Sequence, residues 1–321
     1  MPVPLIERFR DVLPVDETTP VVSLGEGSTP LLRLPRLSER YGVELWAKWE
    51  AANPTASYKD RGMTVAVSKA LEEGAAAVIC ASTGNTAAST AAYAARAGLP
   101  AVVLTPAGAV SGAKVAQLRM HGAKVLAVRG DFDQALAAAR ELAARGTYAL
   151  VNSINPYRRA GQKTAVYEIV AELGAAPDAF VIPYGGGGNT SAYAIARAEL
   201  SLDAAIVSVE AADRRRTLAT AIRIGEPAHA EAVADAGATV ITVDDDELVT
   251  AWQELATVEG LFCEPSSAAG LAAVRRGDVP GERLVLTITG HGLKDVESAD
   301  RYAPPPVEVD ADPDAIARAA G

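Results

Sequence analysis

The feature that most constrains this chain is a regular alternation. Short runs rich in Val, Ile and Leu take turns with alanine-rich stretches of helical period. The runs at 76–81, 101–105, 124–128, 149–152, 180–183, 206–209, 240–243 and 284–289 are expected to be strands. Helical patterns fall at 63–73, 86–96, 113–121, 132–145, 159–172 and 247–259. A helix between consecutive strands is the crossover that parallel neighbours require, so the pattern implies βαβ units and mainly parallel sheets. The strand runs are apolar along their whole length, as expected when helices cover both faces. A chain of 321 residues accommodates one large or two moderate domains at roughly 150 residues each. Residues 303–313 are rich in proline and acid and read as an extended tail, which runs on to 321 through a short helical segment.

Charge and composition exclude several roles. The 30 basic against 40 acidic residues give a net charge of −10, which repels a phosphate backbone and argues against nucleic acid as a partner. Two cysteines, Cys80 and Cys263, are too few for a disulfide framework or a cysteine zinc site. Both sit in apolar surroundings and read as small buried hydrophobes. His121 and His229 have no partners at ligand spacing, so no metal site is expected. No apolar stretch approaches the roughly 20 residues that span a bilayer. The acidic N-terminal stretch has no apolar region of the kind that marks a secretory signal. The expectation is a soluble protein of the cytoplasm, with no membrane partner.

Five segments carry chemistry. In residues 53–62, NPTASYKDRG, Lys59 lies at a helix start, where the dipole disfavours the charged amine and suits it to Schiff-base chemistry. A solvent-facing lysine paired with Asp60 is the bland alternative. Residues 82–89, STGNTAAS, follow a strand and open a helix. They suit either a carboxylate or phosphate cradle or an ordinary cap by Ser82 or Thr83. Residues 183–190, PYGGGGNT, place four glycines between strand and helix, where backbone N–H groups can hold a phosphate. Glu210 then stands where a dinucleotide fold places its ribose carboxylate, which leaves a nicotinamide-dependent oxidoreductase open. Residues 152–164, NSINPYRRAGQKT, gather Asn152, Ser153, Asn155, Arg158 and Arg159 at a strand's end, suited to an anionic substrate or to a plain turn. In residues 287–295, TITGHGLKD, Thr289 can aim a neutral hydroxyl into a crevice. His291 reads as a loop histidine with a structural hydrogen bond.

In this order, the five segments resemble the threonine synthase family of fold-type II enzymes that use pyridoxal 5'-phosphate (PLP). Residues 24–37, 217–227 and 259–269 (EGLFCEPSSAA) also match its pattern, so the likeness spans roughly residues 24–295. The resemblance implies a tryptophan synthase β-like α/β fold: two open, twisted, mainly parallel sheet domains with helices on both faces. The smaller, mobile domain would be residues 48–148. The larger, PLP-binding domain would combine 1–47 with 149–302, leaving 303–321 as the tail.

It implies further that Lys59 forms the Schiff base with PLP and that Asn85 bonds the ring's phenolic oxygen. Gly185, Gly186, Gly187, Gly188 and Asn189 would hold the cofactor phosphate, and Thr289 would face the pyridine nitrogen. Ser82, Thr83 and Gly84 would receive the substrate carboxylate. Asn152, Ser153 and Arg158 would recognise a substrate phosphate. The implied reaction converts O-phospho-L-homoserine and water to L-threonine and phosphate, in a homodimer acting on a small phosphorylated amino acid.

Four departures stand out: Ala56 for glycine, Tyr58 for phenylalanine, Ala109 for a lysine, and a compressed segment at 207–216. The last two bear on substrate and product more than on the cofactor. β-Elimination or β/γ-replacement on serine, threonine or a related phosphorylated amino acid stays open beside the main reading. So does a non-catalytic ligand sensor on the same scaffold.

Overall fold

The computed structural model describes residues 3–108 and 112–320; Ala109 lies outside the described residues. In chain order the strands are β1 (Leu31–Arg33), β2 (Glu44–Trp49), β3 (Ala77–Ala81), β4 (Ala101–Pro106), β5 (Lys124–Val128), β6 (Tyr148–Leu150), β7 (Ala179–Pro183), β8 (Ala205–Ala211), β9 (Thr239–Val243) and β10 (Arg283–Ile288). They form two sheets. One has the order β5-β4-β3-β6 and is parallel throughout. The other has the order β1-β2-β10-β7-β8-β9 and is parallel except where β1 pairs antiparallel with β2. The strands expected from sequence are β3 to β10, with ends displaced by at most two residues.

All five residues of β3 and all five of β7 are buried, because helices cover both faces of each sheet. One face of the six-stranded sheet packs Val181, Val209 and Leu286 against Trp252, Leu255 and Leu271. The other packs Phe180, Ile182 and Val285 against Ile169 and Tyr193. The four-stranded sheet is likewise cored on both sides, by Cys80 and Val103 with Met63 and Tyr93, and by Ile79 and Leu104 with Ala135 and Ala139. The edge strands β5 and β9 expose alternate residues or more.

β1 and β2 escape the sequence reading for a physical reason. Lys48 interrupts the apolar run of β2, yet it is fully buried. Its ammonium donates to Glu172 Oε1 at 2.8 Å and to the Thr29 carbonyl at 2.6 Å, and pairs with Glu168 at 3.1 Å. The expected domain boundaries at 48 and 148 both fall inside strands. β2 runs to Trp49 in the six-stranded sheet, and β6 pairs with β3 through Leu150 in the four-stranded one.

The helix Lys59–Glu72 crosses the helix Pro156–Leu173 at glycines. A Cβ on Gly62 would lie 2.5 Å from the Arg158 carbonyl oxygen, and one on Gly161 would lie 1.9 Å from that of Arg61. Backbone therefore touches backbone. Beside the crossing, Arg61 is buried between two carboxylates. It donates to Glu50 at 2.7 and 2.8 Å and to Glu168 at 2.6 and 3.0 Å. The tail ends in the helix Pro313–Ala320, which buries none of its residues. No helix of the described residues is long and apolar enough to cross a membrane.

Candidate active site

Parallel pairing puts the strand C-terminal ends of each sheet on one side, the usual place for a ligand in an open α/β sheet. Four of the five segments follow such ends: β3, β6, β7 and β10. The fifth, with Lys59, is tied to β10, since Tyr58 N donates to the Thr289 carbonyl at 3.0 Å and His291 N to that of Ala56. Ala56 stands at φ +63°, a left-handed conformation in which its Cβ is strained. The glycine of the related motif would take that turn without the strain.

Lys59 opens its helix, half-buried, with its amine 2.5 Å from Tyr58 Oη. The alternative pairing with Asp60 is not what forms. The Asp60 carboxylate is buried and accepts from Thr55 N, Thr55 Oγ1 and Ser89 Oγ, each at 2.6 Å. Burial pushes its carboxyl up to about 6, against the opposing hydrogen bonds.

Neither Ser82 nor Thr83 caps the helix Asn85–Ala97. Its N-cap is Gly84 with no side-chain hydrogen bond, and Ser82 Oγ accepts instead from Gly84 N at 3.2 Å. The first-turn N–H groups thus have no side-chain acceptor, which is what an anion cradle needs. Asn85 Nδ2 donates to both oxygens of Glu264, at 3.1 and 2.9 Å. Thr289 Oγ1 lies 2.9 Å from Ser267 Oγ and 3.3 Å from the same Glu264. Glu264 is buried, and burial raises its carboxyl against the pull of Asn85. Sequence reading quoted its motif but gave it no role, although a glutamate inside an apolar run is itself a signal that a partner awaits it.

After β7 the glycine loop turns sharply. Gly187 sits at φ +82° and caps the helix Gly188–Glu199 with no side-chain bond. A Cβ at Gly187 would meet His229, Tyr184 and Val233, each at 3.1 Å. Gly185 O accepts from Arg214 Nη2 at 2.6 Å and Gly186 O from His229 N at 3.1 Å, so the loop is held from outside. The compressed 207–216 segment supplies this support, as β8 and the turn bearing Arg214. Glu210 accepts from Arg214 and Thr242 Oγ1, which leaves it committed away from a ribose. Asn189 is buried and its Nδ2 has no hydrogen-bond partner. An orphaned donor beside free N–H groups at a helix start fits the phosphate of PLP.

His229 is a second residue that spacing did not find. Its Nε2 lies 3.1 Å from the Ser153 carbonyl and its ring packs over Gly188. Burial first, then the charge of Arg159, lowers its affinity for a proton. Ser153 is thereby placed against the glycine loop. Asn152 is differently engaged, its amide bonding both Ala81 N (3.0 Å) and Ala81 O (2.9 Å). Arg158 is fully buried, its Nη1 donating to the Val151 carbonyl at 2.7 Å. His291 is a loop residue as expected: Nδ1 accepts from Leu293 N, and its ring meets the edges of Trp49 and Phe262. Cys80 and Cys263 are both fully buried, and burial pushes the Cys80 thiol up to about 11.

Residues 22–290 match the family described as pyridoxal-phosphate dependent enzymes. A threonine synthase of Halalkalibacterium halodurans is 44% identical, covering 92% of this chain and 90% of that protein. A threonine synthase of Mycobacterium leprae is 46% identical, covering 96% and 93%. Among solved structures, maize serine racemase superimposes with a TM-score of 0.79 at 21% identity, covering 92% of this chain and 95% of that one. That likeness is one of fold. The chain therefore belongs to the pyridoxal-phosphate dependent enzymes and, within them, to the threonine synthase family.

Proposed function

We propose that this chain converts O-phospho-L-homoserine and water to L-threonine and phosphate. One observation carries the reading. The Lys59 turn is bonded to the end of β10, where Thr289 Oγ1 meets Glu264, the carboxylate that also accepts from Asn85. The relatives named threonine synthase, matched over more than nine-tenths of the chain, supply the substrate.

When bound, PLP supplies the electron sink that carbanion chemistry needs. Gly185 to Gly188 and Asn189 would hold its phosphate, Asn85 its phenolic oxygen and Thr289 its ring nitrogen. Lys59 would be its covalent anchor and, once released, would move protons at the substrate's Cα and Cβ. The free N–H groups behind Ser82, Thr83 and Gly84 would receive the substrate carboxylate. Ser153, beside the glycine loop, would be one member of the phosphate-recognition set. Asn152, bonded to Ala81, and Arg158, bonded to the Val151 carbonyl, would complete the set.

We place the enzyme in the cytoplasm as a homodimer. The part built on the four-stranded sheet, expected at residues 48–148, would form the smaller body that closes over the substrate and excludes water.

The test is incubation of the PLP-loaded protein with O-phospho-L-homoserine, assaying phosphate and amino acid together, with L-serine and L-threonine deamination in parallel. Equimolar phosphate and threonine are expected, with Lys59→Ala inactive. Turnover of serine alone would refute the substrate.

A further inference from the structure

Tyr58 stands where the related motif carries phenylalanine, and its hydroxyl is the one atom by which the two rings differ. That atom accepts a hydrogen bond from Lys59 Nζ at 2.5 Å, with the amine 4.3 Å from the ring centroid. Side chains one residue apart do not face each other within a helix. Here they meet because Tyr58 is the position before the helix, with its backbone N–H held by the Thr289 carbonyl. Arg158 is fully buried, and its Nε and Nη2 have no hydrogen-bond partner among the described residues. Burial lowers the hold of that guanidinium on its proton, and a negative charge at Tyr58, then at Cys80 or Asp60, would oppose it. A negative charge on the Tyr58 oxygen would thus act both on the Lys59 amine it touches and on a buried guanidinium with two unpartnered nitrogens. Low dielectric strengthens such a contact, and leaving the guanidinium without an anion is costly.

We propose that Tyr58 is a catalytic residue that exchanges a proton with Lys59. The phenolate oxygen takes a proton from the Lys59 ammonium, leaving phenol and neutral amine. The reverse step returns the proton when the amine must act as an acid. One O–H bond forms as one N–H bond breaks, and no electrons leave the pair. The inference rests on Lys59 being the reactive amine of the proposed function. It adds an acid–base group that a phenylalanine cannot provide.

The variant is Tyr58→Phe in the full chain, which keeps the ring and removes only the oxygen. The first readout is the rate at which cofactor-stripped protein takes up PLP, followed by visible absorbance and by borohydride trapping at Lys59. Uptake should fall about threefold or more near pH 7, and the gap should close near pH 9, where solvent hydroxide takes over the proton. A smaller fall, or an equal fall at both pH values, overturns the proposal, because lost packing has no such pH dependence. The second readout is turnover of O-phospho-L-homoserine. Here kcat should drop about tenfold with KM within about twofold, and the kcat–pH profile should move to higher pH. An unmoved profile overturns it as well. If the wild-type protein takes up PLP but turns over no phosphohomoserine, the substrate reading fails while the uptake measurement still decides Tyr58.

Discussion

Gly290 has room for a hydrogen and little else. A Cβ there would stand 2.6 Å from Glu264 Oε1, the oxygen that meets Asn85 and Thr289. Gly290→Ala should displace that carboxylate and cost about 1–3 kcal/mol in urea unfolding, as overpacking does. PLP affinity, read by absorbance titration, should fall about tenfold because Asn85 loses its orienting partner. An unchanged affinity would show that Glu264 does not hold Asn85 for the cofactor. At this scale Lys59 and the glycines were legible as chemistry at a helix start and a strand end, and Asn85 only through the family pattern. Glu264 and His229 were not, because what makes them part of the site is the company brought to them by β10 and the glycine loop.

Among elements, the crossing of helices Lys59–Glu72 and Pro156–Leu173 sets where Lys59 begins. Gly161→Ala would drive a methyl into the Arg61 carbonyl, and backbone cannot rotate away as a side-chain tip can. The expected loss is about 3 kcal/mol, the upper range for overpacking, with weakened PLP retention as the helix start shifts. Thermal melts with and without the cofactor check both. A variant as stable as wild type would mean that the helices separate freely. The helices themselves were readable from period, but not their caps. The helix Asp245–Glu259, for instance, starts at a capping box of Asp244 and Glu247. The close approach was not readable, because a glycine in a helix looks like a weak point until its neighbour is known.

Across the whole molecule, Glu168 joins three cations from distant segments: Arg8, Lys48 and Arg61. Burial by itself would raise its carboxyl, but Arg61, then Lys48 and the Ser28 N–H, outweigh burial and hold it well below the ordinary value of 4.5. A depressed folded-state value contributes stability that is full above the unfolded carboxyl's range. That stability is lost as pH falls toward the folded value. Asp60 runs the other way. Raised to about 6, it makes the fold bind a proton, so its contribution declines as pH rises from about 4 to about 6. Glu168→Gln should cost about 3–5 kcal/mol near neutrality, as breaking a buried pair does. It should also flatten the loss of stability below about pH 4, measured by urea midpoints across pH. A steep acid limb surviving in the variant would assign it to other carboxylates.

What the sequence determined by itself is whatever depends on neighbours along the chain. That covers parallel βαβ order, helices on both faces, a phosphate-holding glycine turn, a lysine at a helix start and the family pattern. What only the tertiary structure decided is whatever depends on neighbours in space. That covers the burial of Lys48 in a strand, the Glu264–Asn85 bond, the placement of His229 and the phenol of Tyr58 against Lys59. The reason is physical. Period and capping are local constraints repeated every few residues. A buried polar side chain takes its role from a partner far along the chain, as Glu264 does from Asn85, 179 positions away, and no local pattern encodes that distance.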